Sequence, residues 1–214
     1  VESWEKLTRI LTHEIMNSLA PVTSISHTLL SSSGDTETMR QGLETIHTTS
    51  DRLLRFVDSF RAVTRIPAPQ KAPFYLSELV AEACSLTARE GVDVEVCLEP
   101  EDTMLYADRA LMSQVFVNLL KNATEALLEQ EGERKITIRS TIDAEERIQI
   151  EITNNGSAIP AEVAENIFTP FFTTKTDGSG IGLAVSRQII RLHGGSLRLK
   201  HNDEGRVTFA IVME

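Results

Sequence analysis

The apolar residues Trp4, Leu7, Leu11, Ile15, Val22, Ile25 and Leu29 recur at spacings of three, four and seven. That spacing puts them on one stripe of a long helix, and an apolar stripe needs a cover. A polar turn over 31–36 follows, and then a second stripe of Leu43, Ile46, Leu53, Val57, Phe60 and Val63. The two predict a helical hairpin. A lone two-helix hairpin buries little, whereas pairing two hairpins into a four-helix bundle covers both stripes, so the segment is expected to make a homodimer.

The helical pattern stops near Ile66, where Pro67, Pro69 and Pro73 predict a stiff linker over 67–73 between a first domain, 1–66, and a second, 74–214. In the second domain a helix is expected from about Ser77 to Arg89. Val92, Val94, Val96 and Leu98 then alternate as a half-buried strand. A helix from about Arg109 to Glu129 precedes two alternating strands, one with Ile136 and Ile138 and one with Ile148, Ile150 and Ile152. A glycine-rich stretch leads into a helix from Ile181 to His193, stopped by Gly194 and Gly195. Leu197 and Leu199, then Val207, Phe209 and Ile211, predict a closing hairpin. Helices and largely antiparallel strands in this order imply an α+β fold, a two-layer α/β sandwich.

With 21 Lys and Arg against 31 Asp and Glu, the net charge of -10 argues against nucleic acid or an anionic membrane surface as the main partner. Cys84 and Cys97 have neither metal-ligand spacing nor disulfide density, which points to a reducing, cytoplasmic compartment. No apolar run approaches the roughly 20 residues of a membrane helix, and no signal peptide is visible. Because the chain begins inside a helical pattern, it is expected to be a fragment, with any membrane attachment in segments preceding it.

Gln114, Asn118, Asn122 and Glu125 share one helix face beside a core face of Leu111, Val115, Leu119 and Leu127. Such a stripe is either a solvated surface or an oxygen-ligand site for Mg2+ and phosphate. Gly178, Gly180 and Gly182 alternate before a helix, whose amides can cradle phosphate oxygens or whose glycines can simply make a flexible loop. Lys175, with Thr173, Thr174 and Thr176, adds a cation and hydroxyls suited to a triphosphate. In the first domain, Asn17 stands one turn beyond His13 and shares its face.

The stretches NLLKNATEAL from Asn118, NNGSAIP from Asn154, IFTPFFTTKTDGSGIGLAVS from Ile167 and RLHGGSL from Arg191 resemble the N, G1, F and G2 boxes of histidine kinase ATPase domains. The run LTHEIMNSLAPV resembles the H box, with Ser18 where many members carry proline and Pro21 matching the nitrogen-sensor branch. The resemblance covers nearly the whole chain. It implies a Bergerat-type ATP domain in which Asn122 and Asn118 ligate Mg2+ and Lys121 lies near the phosphates. It further implies a lid from about Phe168 to Ser179 that brings in Lys175, and Gly178, Ser179, Gly180, Ile181, Gly182 and Leu183 around the phosphate tail. Gly156 and Ile159 belong to the base side of the same implied site.

In the family an aspartate accepts a hydrogen bond from the adenine amino group; Asn154 stands there, and Ala158 replaces the second glycine of the G1 box. An Asn carbonyl is expected to accept the same bond more weakly, by about 1 kcal/mol. The resemblance also implies that His13 is the phosphoacceptor, Glu14 the general base, and Asn17 a water-positioning group for dephosphorylation of a response regulator. The expected activity is autophosphorylation of His13 from Mg-ATP and transfer to an aspartate of a response-regulator receiver domain. The alternatives are a weakly nucleotide-binding pseudokinase scaffold, motivated by Asn154 and Ala158, and another ATPase of the superfamily, against which His13 argues.

Overall fold

A computed structural model describes residues 2–31, 36–128, 131–175 and 178–213. Within the first helices the side chains of residues 2–11, 13, 14, 31, 59, 62 and 63 also fall outside the description. The chain divides into two compact units, Val1–Arg65 and Ile66–Glu214.

The first unit is two helices, α1 (Glu2–Ser31) and α2 (Thr36–Thr64), packed on each other. Pro21 lies inside α1, which nevertheless continues for a further ten residues. The predicted stripes split in two. Ile15, Val22, Ile25 and Leu29 on α1 and Ile46, Leu53 and Phe60 on α2 are half-buried. Leu43 and Val57, assigned to the same α2 stripe, remain exposed. They sit on the flank of the pair, with Met16, Leu19 and Leu54 also open to solvent. The helices approach closely at Gly42, where a Cβ would stand 2.9 Å from Leu29 Cδ1.

The second unit opens with β1 (Ala72–Tyr75), α3 (Leu76–Thr87), β2 (Asp93–Leu98) and β3 (Met104–Ala107). Next come α4 (Arg109–Leu128), β4 (Lys135–Ile142), β5 (Ile148–Asn154) and the short α5 (Ala161–Ala164). It ends with α6 (Gly182–Leu192), β6 (Ser196–Asp203) and β7 (Arg206–Met213). Five strands form one sheet in the order β2-β4-β5-β7-β6, and β1 pairs with β3 in a separate antiparallel ribbon. α4 lies across β4 and β5 while α6 packs on α4 and β6, giving the helix layer and sheet layer of an α+β sandwich. Phe116, Met112, Leu119 and Leu120 of α4 are fully buried against Ile136, Ile138, Ile150 and Ile152. No barrel forms.

Several details depart from the sequence expectations. The ribbon strands β1 and β3, four residues each, are too short to show a period, and Pro73, assigned to the linker, belongs to β1. An edge strand tolerates proline because one of its sides lacks a ladder. The strand β2 is parallel to β4, unlike its antiparallel neighbours. Its Val94 and Val96 share a face with Ile136 and Ile138, yet they are 37% and 45% exposed rather than half-buried. β2 is the edge strand, and the helix layer centred on β4 and β5 covers it incompletely. Glu129, expected at the end of α4, lies outside the described residues.

Asp108 sets the start of α4. Its Oδ1 accepts the Leu111 N–H at 3.1 Å, an N-cap bond, and its Oδ2 accepts the Gln70 N–H at 2.8 Å. Its own N–H donates to His193 Nε2 at 3.0 Å, while His193 Nδ1–H donates to Ile189 O at 2.8 Å. One residue thereby joins the linker, α4 and the end of α6. The Gln70 and Leu111 amides hold the Asp108 carboxyl below the usual aspartate range. A depressed folded value contributes stability that is present above the unfolded value of about 3.9 and is lost as pH falls through the folded one. Asp108→Asn is therefore expected to lose less stability than the parent between about pH 6 and about pH 3, read from urea midpoints. Equal losses would remove Asp108 from the acid response.

Candidate nucleotide site

The polar face of α4 organises this region. Asn118, Asn122 and Glu125 are half-buried along it, and Lys121 is exposed at its margin. Asn118 Nδ2 donates to Gly182 O and to Ser186 Oγ, each at 3.3 Å, and so joins α4 to the first turn of α6. With Nδ2 committed, Oδ1 of Asn118 remains as a hard oxygen of the kind Mg2+ takes. The start of α6 presents amides and the positive end of the helix dipole close to that oxygen. Asn118 and Gly182 thus meet across 64 residues.

The segment before α6 is tied to the same face. Lys175 Nζ donates to Glu125 Oε2, and Lys121 Nζ lies 3.8 Å from Glu125 Oε1. Thr173 Oγ1 accepts the Lys175 N–H at 3.1 Å, and the Gly178 N–H donates to Lys175 O at 3.3 Å. The base of the segment is closed by the Phe171 N–H, which donates to Gly180 O at 2.9 Å. Phe168 is fixed underneath, edge to face with Phe209 at 6.3 Å, with the Arg187 guanidinium 5.0 Å from its ring centre. Thr176 and Asp177 lie outside the described residues. Ser179 is exposed, whereas Ile181 and Leu183 are half-buried at the helix entry.

At the other end of the α4 face, β5 runs out into the loop Asn154–Pro160. A Cβ on Gly156 would lie 3.6 Å from Leu127 Cδ2, so the loop passes beneath the last turn of α4. Asn154 is buried, 3% exposed, and its Oδ1 accepts the Gly156 N–H at 3.0 Å. That oxygen thus accepts one bond inside the loop and keeps a second lone pair for the base contact that the resemblance implies. Two residues without a sequence signal, Asn202 near the end of β6 and Glu204 in the β6–β7 turn, pin the loop. Asn202 Oδ1 accepts the Ile159 N–H and its Nδ2 donates to Ile159 O, both at 2.7 Å. Glu204 Oε2 accepts the Ala158 N–H at 3.2 Å, and the Gly205 N–H donates to Gly156 O at 3.1 Å. Ser186, at 0% exposure beside Asn118, was likewise not distinguished by the pattern.

The three candidate residues on α1 belong to the other unit. The backbone of α1 is helical through His13, Glu14 and Asn17; Asn17 is exposed, and the side chains of His13 and Glu14 lie outside the described residues. Among the described residues no group of three or more His, Cys, Asp or Glu side chains gathers as a metal site. No described helix is long and apolar enough to cross a membrane.

The class defined by this sheet, the α4 amides and the glycine-opened α6 is that of a nucleotide-binding sandwich. The chain belongs to the histidine kinase-, DNA gyrase B-, and HSP90-like ATPase family, whose model matches residues 107–214. Sensor protein FixL of Bradyrhizobium diazoefficiens is 33% identical over 212 residues, covering 95% of this chain and 42% of FixL. Sensory histidine kinase/phosphatase NtrB of Rhizobium meliloti is 32% identical over 225 residues, covering 97% of this chain and 57% of NtrB. The structure of histidine kinase ThkA in complex with response regulator protein TrrA aligns with a TM-score of 0.66 at 29% identity, over 97% of this chain and 60% of that one. The chain spans 28% to 57% of the length of such curated relatives.

Proposed function

We propose that the chain is the core of a sensor protein-histidine kinase in which the second unit binds Mg-ATP and His13 accepts the γ-phosphoryl group. The observation that carries this reading is the hydrogen bond of Asn118 to Gly182 O, which brings an amide face able to ligate a cation to a helix start able to bind anions. Mg2+ held by Asn122 and Asn118 would neutralise phosphate charge. Lys175 exchanges its Glu125 partner for a phosphate oxygen as nucleotide enters.

His13 attacks the γ-phosphorus through Nε2, the bond to the β–γ bridging oxygen breaks, and the nucleoside diphosphate departs with that electron pair. Glu14 takes the Nδ1 proton. The phosphoryl group then passes to an aspartate of a response regulator, in keeping with the partner in the ThkA structure. Asn17, one turn from His13, orients water for the regulator's dephosphorylation, a role suggested by the kinase/phosphatase name of NtrB. Met16, Leu19, Leu43, Leu54 and Val57, open on the flank of the hairpin, are covered when two hairpins pair as a homodimer. The compartment in this reading is the cytoplasm.

The test is incubation with γ-labelled Mg-ATP, followed by acid and alkali treatment. An acid-labile, alkali-stable label that disappears in His13→Gln is the expected result. Absence of such a label would refute the kinase reading in favour of a scaffold, and a label that survives the substitution would refute His13 as acceptor.

A further inference from the structure

Asp108 is a three-way junction, and its three bonds serve different ends. Oδ1 caps α4 through the Leu111 N–H, the backbone N–H donates to His193 Nε2 at 3.0 Å, and Oδ2 accepts the Gln70 N–H at 2.8 Å. The two helices that meet there carry the phosphate-side groups: α4 starts at Arg109 and bears Asn118 and Asn122, and α6 runs from Gly182 to Leu192, just before His193. The bond to Gln70 supports neither helix. It fixes the incoming chain to their common frame two residues ahead of Ala72, where the β1–β3 ladder begins at Ala107, next to Asp108. Immediately upstream, Pro67 and Pro69 restrict the backbone, so a pinned Gln70 leaves only a short, stiff stretch of linker.

We infer that Asp108 is a positioning residue for phosphoryl transfer: by holding Gln70 it sets where the linker leaves the nucleotide-binding unit, and so the reach and direction with which His13 is delivered to the γ-phosphate. This rests on the kinase reading above. Transfer needs the imidazole in line with the leaving oxygen, and a misplacement of about 1 Å can cost roughly a hundredfold in rate. Loss of the clamp frees Gln70 and Lys71, and each freed residue adds up to about 3.5 Å of reach. That slack lowers the effective concentration of His13 at the phosphate and loosens its orientation. The α4 cap and the His193 bond stay in place, and with them the frame of the nucleotide site, so the effect falls on transfer and spares binding.

The experiment compares the 214-residue parent with Asp108→Ser. Serine is a good N-cap, so the Leu111 bond is kept, while its single short oxygen leaves the Gln70 N–H without an acceptor. Titration calorimetry gives the Kd for Mg-ATP, and acid-labile labelling at saturating γ-labelled Mg-ATP gives the transfer rate. Expected is an unchanged Kd with a saturated rate lower by about fivefold or more. Gln70→Pro removes the same bond from the donor side without touching the α4 cap, and is expected to show the same split should Asp108→Ser fail to fold. A parental rate in either folded variant, or equal losses of affinity and rate, overturns the inference and leaves the kinase reading intact. Absence of label in the parent overturns the kinase reading itself. Hydrogen exchange in the parent is the check on the clamp: the Gln70 amide is expected to exchange more slowly than that of Ala68, and equal protection would also overturn the inference.

Discussion

Gly180→Ala is expected to weaken triphosphate binding by more than about tenfold while the melting temperature changes little. Gly180 has φ +66°, and a Cβ there would stand 2.6 Å from Phe171 C, 2.7 Å from Phe172 O and 2.9 Å from Phe172 C. These are backbone atoms, so no side-chain rotation relieves the contact. A left-handed conformation costs a residue with a Cβ about 1–2 kcal/mol, and overpacking adds about 1–3 kcal/mol. The chain escapes by parting Phe171 from Gly180. That breaks the 2.9 Å bond closing the loop and displaces both Lys175 and the entry to α6. The damage falls on the phosphate side because the core beneath is built from α4 and the sheet. Calorimetry and a thermal melt on the same sample check both halves. An unchanged affinity would detach this loop from nucleotide binding.

Gly195→Ala is expected to destabilise the second unit by about 3 kcal/mol, well beyond the effect of Gly194→Ala. The two adjacent glycines serve different ends. Gly194 has φ +87° with nothing within 4 Å of an added Cβ, so alanine there meets only the backbone preference, about 1 kcal/mol. Gly195 has an ordinary φ, but a Cβ would lie 2.5 Å from Val212 O and 3.0 Å from Ile190 Cγ2. Val212 pairs with Ser196 in the β6–β7 ladder, so it cannot retreat without opening the sheet. Urea unfolding followed by far-ultraviolet circular dichroism orders the two variants. Equal midpoints would show that the close approach at Val212 is not a constraint.

These glycines illustrate how much of the molecule is legible in the chain alone. A helix stop at Gly194 and Gly195 is visible because a left-handed cap and its glycine sit beside the last helical residue. The division of labour between them is invisible, since it depends on a strand 17 residues downstream. The stripe of Asn118, Asn122 and Glu125 is visible for the same reason as the hairpin stripes: the helical repeat acts over three or four residues. That Gly182 and Lys175 lie against it, the observation that bears on its two readings, is not visible in the local pattern. The apolar alternation of β2 identifies a strand and says nothing of its place at the sheet edge, where Val94 and Val96 are left uncovered.

The opening hairpin shows the same boundary. Two apolar stripes are enough to dictate two long helices that must be covered. Which part of each stripe the partner helix covers, and which part remains on the flank, follows from the close approach at Gly42 and Leu29.

By itself the sequence determined the longer elements, their order, the family boxes and the residues available for chemistry, because periodicity, capping and glycine placement act within a few bonds along the chain. Tertiary structure alone decided the parallel pairing of β2, the grip of Asn202 on Ile159 and the Glu125 counter-ion of Lys175. Asn202 and Glu125 meet partners 43 and 50 residues away. Such contacts depend on how the whole sheet closes, and nothing in the local pattern carries that information.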